Sequence, residues 1–205
     1  ANISVRIDDD FMKAVVEKEN YTQKYPIHSK NPKFQKEIKA TDLWDKIIHN
    51  AWKSAEPGIL FWDTIINESL PDCYAEYGYE TVSTNPCGEI PLCPYDSCRL
   101  LAVNLFSYVE NPFTKKAKFN FELFKEHVGY AQRMMDDIID LEMEKIDAIL
   151  EKIKTDPEGE EIKFTEQNLW LKIRHKTIEG RRTGVGITAE GDMLAALGIQ
   201  YGSKE

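Results

Sequence analysis

The sequence has no long apolar segment. No run of about 18 uninterrupted apolar residues occurs anywhere in the 205 positions. Residues 1–10 also lack the basic and apolar regions of a signal peptide. We therefore expect no membrane span and no secretory leader, and we expect the protein to work in the cytoplasm.

Positive charge is scarce as well. The chain carries 26 basic and 35 acidic residues, for a net charge of -9. A polyphosphate partner such as DNA or RNA requires a broad basic surface, so we expect no direct nucleic-acid binding. Any contact with a phosphorylated small molecule would be local, at helix N-termini or at a few arginines such as Arg181 and Arg182.

Cysteine is rare and confined to one stretch of the chain. Its four cysteines are Cys73, Cys87, Cys93 and Cys98. Cytosolic thiols are usually reduced, so this clustering favours thiol chemistry over structural disulfides. The stretch contains no Cys-x-x-Cys pair, which disfavours a four-thiolate zinc site. A redox dithiol that includes Cys98 or Cys93 fits better.

Other motifs for metals and cofactors are incomplete. The Glu-x-x-His repeat of di-metal helical bundles is missing, although one helical segment holds several carboxylates. Those carboxylates are Asp136, Asp137, Asp140, Glu142 and Glu144, and the scattered histidines are His28, His49, His127 and His175. We predict no metal ligands among them. The glycine pattern at 184–189 follows a basic, polar segment rather than a buried strand, so we interpret it as close packing at a helix entry.

Hydrophobic periodicity predicts strands that alternate with helices. The predicted strands cover 3–7, 59–62 (buried on both faces) and 100–109, and the predicted helices cover 8–16, 41–52 capped by Thr41, about 121–154, 165–178 capped by Thr165, and 189–197. Residues 20–39 and 71–94 are expected to be loops. The order predicts an α/β fold with mostly parallel strand pairing, in which helix predominates.

The loop prediction places one reactive motif in an exposed turn. Residues 85–89 read Asn-Pro-Cys-Gly-Glu, so proline and glycine flank Cys87. A cysteine supplies a thiolate or a thiyl radical, Glu89 is a candidate base, and Asn85 both donates and accepts hydrogen bonds. By spacing alone, an ordinary turn with an inert cysteine explains the motif equally well.

A wider set of motifs resembles one enzyme family. Besides NPCGEIPL at 85–92, the chain contains SCRLLAVNL at 97–105, NISV at 2–5 with DFM at 10–12, PGILFWD at 57–63, and RRTGVGITAEGDMLAALGIQYGS at 181–203. In this order they resemble the ribonucleotide reductase large subunit, most closely its adenosylcobalamin-dependent class II form. The chain starts with Ala1 rather than Met, and we expect an internal fragment.

The resemblance implies a fold and a set of roles. Residues 1–205 would be a single, helix-rich portion of a ten-stranded α/β barrel, made of two five-stranded halves, with a central finger loop at about 83–94. Cys87 would carry the thiyl radical, Glu89 would act as base, Asn85 would hold the ribose hydroxyls and Cys98 would be one of two reductant cysteines, with Cys93 the weaker candidate. The full-length enzyme would use adenosylcobalamin, a ribonucleotide substrate, a thioredoxin-like dithiol reductant and nucleotide effectors, and a homodimer is expected.

Several parts of the family's pattern are missing from the chain. The second reductant cysteine, the phosphate-binding loop and the cysteine-bearing tail have no counterpart, so we expect the isolated chain to be inactive. Arg99 and Leu101 stand where the commoner motif has Asn and Gly. Two alternatives remain open, a class I subunit that receives its radical from a separate di-metal subunit, and a non-catalytic zinc or redox-structural module.

Overall fold

The structure, a computed structural model, describes residues 2–27 and 29–204, so His28 lies outside the described residues. The helices are α1 (Asp9–Glu17), α2 (Ala40–Ser54), α3 (Trp62–Glu68), α4 (Phe121–Thr155), α5 (Glu160–Gly180) and α6 (Glu190–Leu197). The strands are β1 (Ser4–Ile7), β2 (Asn20–Tyr25), β3 (Phe34–Lys39), β4 (Gly58–Phe61), β5 (Ser83–Thr84), β6 (Pro91–Leu92), β7 (Leu100–Asn104), β8 (Val109–Glu110), β9 (Lys118–Phe119) and β10 (Gly184–Thr188). Short 3₁₀ segments cover Leu70–Tyr77 and Leu105–Tyr108.

The chain divides into two compact units, one up to Pro94 and one from Tyr95 onward. In the first unit β1 and β4 pair in parallel, with Ser4 opposite Gly58 and Ile7 opposite Phe61. Ile7, Phe11, Ala14 and Ala40 form its buried core, so β1, α1 and the start of α2 pack together. The Asp8 carboxylate caps α1 by accepting a hydrogen bond from the backbone N–H of Phe11 at 2.8 Å. The predicted strand and helix at the start of the chain are confirmed.

Three predictions for the first unit are wrong. Residues 20–39 are not a plain loop, because β2 and β3 form an antiparallel hairpin. Most side chains of this hairpin are exposed, so neither strand shows the apolar alternation that marks a strand. Helix α2 begins at Ala40 without a side-chain cap, so Thr41 lies inside it. Strand β4 is not buried on both faces, since Phe61 is 47% exposed.

In the second unit β7 and β10 pair in parallel and α4 packs on them, around Val103, Tyr108 and Ala131. The long helix is confirmed as Phe121–Thr155, and its N-terminus is capped by the Asn120 side chain. The last helix is also confirmed, and it ends at Gly198 with a φ of +74°.

Three predictions for the second unit need correction. Helix α5 begins at Glu160, and the hydroxyl of Thr165 donates to the Glu161 carbonyl within the helix instead of capping it. The strand predicted over 100–109 ends at Asn104, where a 3₁₀ segment follows. Gly184–Thr188, interpreted as a helix entry, is strand β10; its two glycines and polar flanks hid the strand pattern.

The strands of the described residues form five two-stranded sheets, two parallel and three antiparallel. The α/β content is therefore as expected, whereas the prediction of mostly parallel pairing is wrong. A closed barrel is not present among the described residues, and the ten-stranded barrel stays a prediction. The helices in this part of the chain are too short or too polar for any of them to cross a membrane.

Candidate active site

Residues 83–94, the segment expected to form the finger loop, contain a short antiparallel hairpin. Strands β5 and β6 pair Ser83 with Leu92 and Thr84 with Pro91. One residue closer to the tip, the backbone N–H of Asn85 donates to the Ile90 carbonyl at 3.2 Å. The motif at 85–89 therefore lies at the tip of a hairpin held by its own backbone.

Pro86 and Gly88 determine the shape of the tip. The N–H of Gly88 donates to the Asn85 carbonyl at 3.0 Å, which closes a four-residue turn with Pro86 and Cys87 at its centre. Proline favours the first central position because its ring fixes φ. Gly88 has a φ of +83°, and a Cβ at this position would lie 3.0 Å from Cδ2 of Leu60. The result is an exposed Cys87 thiol at the centre of the turn.

Asn85 and Glu89, which flank the turn, are joined by a hydrogen bond in the same hairpin. The Asn85 amide Nδ2 donates to Oε1 of Glu89 at 2.5 Å. Its Oδ1 accepts a hydrogen bond from the backbone N–H of Ile90 at 3.1 Å, which orients the amide. The structure therefore brings three of the four predicted site residues, Asn85, Cys87 and Glu89, into one tip.

The other two cysteines of the first unit differ in exposure. Cys93 is only 3% exposed. Cys73 is exposed, and its thiol donates to the Leu70 carbonyl at 3.0 Å. Thiol exchange requires an accessible sulfur, so burial disfavours Cys93 as a reductant. Among the described residues, no three His, Cys, Asp or Glu side chains gather as a metal-binding group.

Cys98, the fourth predicted site residue, belongs to the second unit and is partly buried. It lies in the segment Asp96–Arg99, immediately before β7. Asp96 forms an ion pair with Arg182, and Arg99 forms one with Glu142 of α4. Both residues that flank Ser97 and Cys98 are therefore fixed to other elements of the unit.

Arg99 is buried, with a side chain only 7% exposed, and it contacts several elements of the second unit. Besides Glu142, its guanidinium donates to the hydroxyl of Thr177 at 3.2 Å and to the carbonyl of Arg182 at 3.1 Å. Its own carbonyl accepts from the N–H of Gly184 at 2.8 Å. Sequence reasoning noted Arg99 only as a departure from a motif, because its side-chain partners lie 43 to 83 residues away.

Arg181 and Arg182, suggested by sequence as local phosphate contacts, bind carboxylates of their own unit. Arg181 donates to Asp136 at 2.8 Å and to Asp140 at 2.9 Å, and these hydrogen bonds raise the pKa of Arg181. Arg182 pairs with Asp96. Several carboxylates of α4 thus serve as partners for arginines.

Comparison with known proteins decides the family. The family model described as the ribonucleotide reductase barrel domain matches residues 1–205. The chain belongs to this family. The interpretation drawn from the ordered motifs is therefore confirmed.

Similar proteins cover the chain from end to end. A vitamin B12-dependent ribonucleoside-diphosphate reductase of Thermoplasma acidophilum is 35% identical over 204 residues, which is 100% of this chain and 22% of that protein. The Mycobacterium tuberculosis protein of the same name is 29% identical, over 100% of this chain and 24% of its own length. A vitamin B12-dependent ribonucleotide reductase of Agrobacterium fabrum is 26% identical, with 13% of its length covered. The chain thus spans less than a quarter of the length of these three relatives.

Proposed function

We propose that this chain is the part of a vitamin B12-dependent ribonucleotide reductase that carries the radical cysteine, Cys87. The observation that supports the proposal most strongly is the hairpin tip, which combines an exposed cysteine with a hydrogen-bonded amide and carboxylate. The names of the relatives and the family match support it as well. In the complete protein, the strands of the parallel pairs β1–β4 and β7–β10 would belong to the ten-stranded barrel.

The exposed tip is compatible with adenosylcobalamin as the source of the radical. Adenosylcobalamin, bound to the full-length enzyme, would supply the radical chemistry by which Cys87 gives up the hydrogen atom of its thiol. This transfer requires a sulfur that a large group can approach, and Cys87 is exposed at the centre of its turn. We assign no residue of this chain to binding the corrin ring.

Cys87, Glu89 and Asn85 each perform one task in the first half of the reaction. The Cys87 thiyl radical takes the hydrogen atom from the 3′ carbon of the ribose. Glu89 accepts the proton of the 3′ hydroxyl, for which we assign Oε2, because Oε1 already accepts from Asn85. Asn85, oriented by the Ile90 N–H, holds the ribose hydroxyls. A radical at the 3′ carbon and a base on its hydroxyl both assist departure of the 2′ hydroxyl.

Cys98 acts in the second half of the reaction. The 2′ hydroxyl leaves as water after it receives a proton from a dithiol made of Cys98 and a cysteine outside this chain. The dithiol supplies two electrons and two protons in total and becomes a disulfide. Glu89 returns its proton to the 3′ oxygen, and Cys87 returns its hydrogen atom to the 3′ carbon. The net products are a deoxyribonucleotide, water and a disulfide, which an external thioredoxin-like dithiol reduces again.

The relatives favour one substrate class and one radical source. The Thermoplasma and Mycobacterium proteins are named ribonucleoside-diphosphate reductases, so we propose ribonucleoside diphosphates as substrates. All three relatives are named vitamin B12-dependent, which disfavours the class I alternative with a separate radical subunit. The family match over residues 1–205 disfavours a non-catalytic zinc or redox-structural module.

The decisive test is Cys87→Ser in the full-length enzyme. We expect formation of deoxyribonucleotides to fall to background, since a serine hydroxyl does not yield its hydrogen atom to the radical. The matched control is Cys73→Ser, another exposed cysteine of the same unit, for which we expect wild-type turnover. Deoxyribonucleotide formation by the Cys87→Ser enzyme would refute the proposal.

A further inference from the structure

The segment Asp96–Arg99 carries Cys98 between two charged anchors. At one end, the Asp96 side chain is only 9% exposed and pairs with Arg182. The second carboxylate oxygen of Asp96 accepts a hydrogen bond from the backbone N–H of Ser97 at 2.9 Å. This bond restrains the backbone between Asp96 and Cys98. This anchor fixes the segment to the chain between α5 and β10.

Arg99 is the other anchor, directly after Cys98. Its guanidinium reaches a carboxylate on α4, a hydroxyl on α5 and the carbonyl of Arg182. A planar fork with several donors suits three acceptors at fixed positions, whereas a lysine supplies only a point charge. Because the Arg99 side chain is only 7% exposed, loss of Glu142 leaves its charge in the interior without a carboxylate partner.

The two anchors are joined to each other. Arg182 binds Asp96 through its guanidinium and Arg99 through its backbone carbonyl. Only Ser97 and Cys98 lie between the anchored residues. The backbone on both sides of Cys98 therefore has little freedom to shift.

Such restraint matters for a reductant cysteine. A disulfide forms only when the two Cα atoms lie about 4.4–6.8 Å apart and the Cβ atoms face each other. A cysteine that cycles between dithiol and disulfide must hold this geometry at every turnover. The anchors around Cys98 are placed to supply it.

We propose that Arg99 and Glu142 are positioning residues for Cys98, holding its thiol where it reduces the substrate intermediate and then closes the disulfide. The inference rests on the proposed function, in which Cys98 is one of the two reductants. Arg99 and Glu142 touch neither substrate nor cofactor in this role and act only through the segment Asp96–Arg99.

The first test measures cysteine reactivity in the full-length enzyme. Arg99→Gln and Glu142→Gln remove one partner each, and alkylation of individual cysteines is followed by peptide mass spectrometry. We expect the Cys98 rate to rise at least about fivefold, because the released segment opens more often. Exposed Cys73 serves as the reference for reagent activity, and buried Cys93 reports general unfolding.

The matched control is Arg174→Gln. Arg174 on α5 pairs with Asp147 on α4, so this change also removes an arginine–carboxylate pair between the same two helices. It leaves the segment with Cys98 untouched, and we expect no change in Cys98 alkylation. Equal acceleration at Cys93 and Cys98 in the Arg99 and Glu142 variants would assign the pair to general stability and reject the positioning role.

The second test is a single turnover of the pre-reduced full-length enzyme without external reductant. We expect Arg99→Gln and Glu142→Gln to slow the first formation of deoxyribonucleotide with KM unchanged, and Arg99→Lys, which keeps only the charge, to recover part of the rate. Cys98→Ser is run in parallel. An inactive Cys98→Ser enzyme beside wild-type behaviour of the other variants would overturn the positioning role alone. Full activity of Cys98→Ser would instead overturn the proposed role of Cys98 itself.

Discussion

The finger loop and the segment that carries Cys98 are held in place in opposite ways. In the finger loop, the hydrogen bonds of Asn85 join it to Thr84, Gly88, Glu89 and Ile90, at most five residues away. The anchors of Cys98 join Asp96 and Arg99 to residues 43 to 86 positions away. A motif built from local contacts retains its shape wherever its few residues occur together. A site built from distant partners exists only when the surrounding unit is folded.

After Cys87→Ser, the largest effect is expected for Glu89→Gln at the tip. Glutamine keeps the size of the side chain and can still contact Asn85, but it accepts no proton from the 3′ hydroxyl. We expect kcat of the full-length enzyme to fall by about 10²–10⁴-fold, the usual contribution of a general base. Glu76→Gln, at an exposed glutamate of the same unit, is the control and should leave kcat unchanged. A normal kcat for Glu89→Gln would contradict the assignment of Glu89 as the base at the tip of the finger loop.

Burial of α4, the helix that carries Glu142, is tested by Ile139→Ala. Ile139 is 0% exposed, so the truncation leaves a cavity, and we expect the free energy of unfolding of the chain to fall by about 2–5 kcal/mol in urea titrations. The neighbouring Ile138 is 42% exposed. Ile138→Ala should therefore cost much less, and equal losses for the two variants would contradict the burial described for α4.

The local character of the finger loop is tested by Gly88→Ala. Its φ of +83° is costly for any residue with a Cβ, and Leu60 approaches closely, so we expect a loss of about 1–2 kcal/mol in unfolding free energy. The same substitution at Gly191, inside α6 with open space around it, should stabilise the chain by about 0.5–1 kcal/mol. If both substitutions have the same sign, the turn conformation assigned to the finger loop is incorrect.

The smallest effect concerns the pair that joins α4 and α5 at Asp147 and Arg174. The hydrogen bond from Arg174 lowers the pKa of the Asp147 carboxyl below its usual value. The charged carboxylate is thus the form favoured in the folded state. The pair therefore stabilises the fold above the unfolded pKa, about 3.9, and this contribution is lost as the pH falls through the lower folded pKa.

Asp147→Asn tests this pH dependence. We expect the variant to lose less Tm than the wild type between about pH 6 and pH 3. The difference should be small, since the Asp147 side chain is 53% exposed and solvent screens the pair. Identical Tm profiles for the two proteins would show that the pair does not contribute to the acid sensitivity of the fold.

Sequence reasoning succeeded where the signal is local or periodic. Helix α4 was predicted almost to its ends, because its apolar positions repeat with helical spacing over many turns. The hairpin β2–β3 was missed, because exposed polar strands have no apolar alternation. Strand β10 was missed because it contains two glycines and pairs with β7, about 84 residues earlier in the chain. The start of α5 was placed too late because Thr165 resembles a cap although it lies within the helix.

The sequence by itself determined the family and the turn at Asn85–Gly88, because proline before Cys87 and glycine after it restrict the backbone to one kind of tip. The ordered motifs also predicted Cys98 as a site residue, and this stays a prediction. Only the tertiary structure decided what holds Cys98, since the buried pair of Arg99 and Glu142 joins residues 43 positions apart. No short-range pattern marks such a pair, because its favourable energy arises only after folding has brought the two residues together and buried the Arg99 guanidinium.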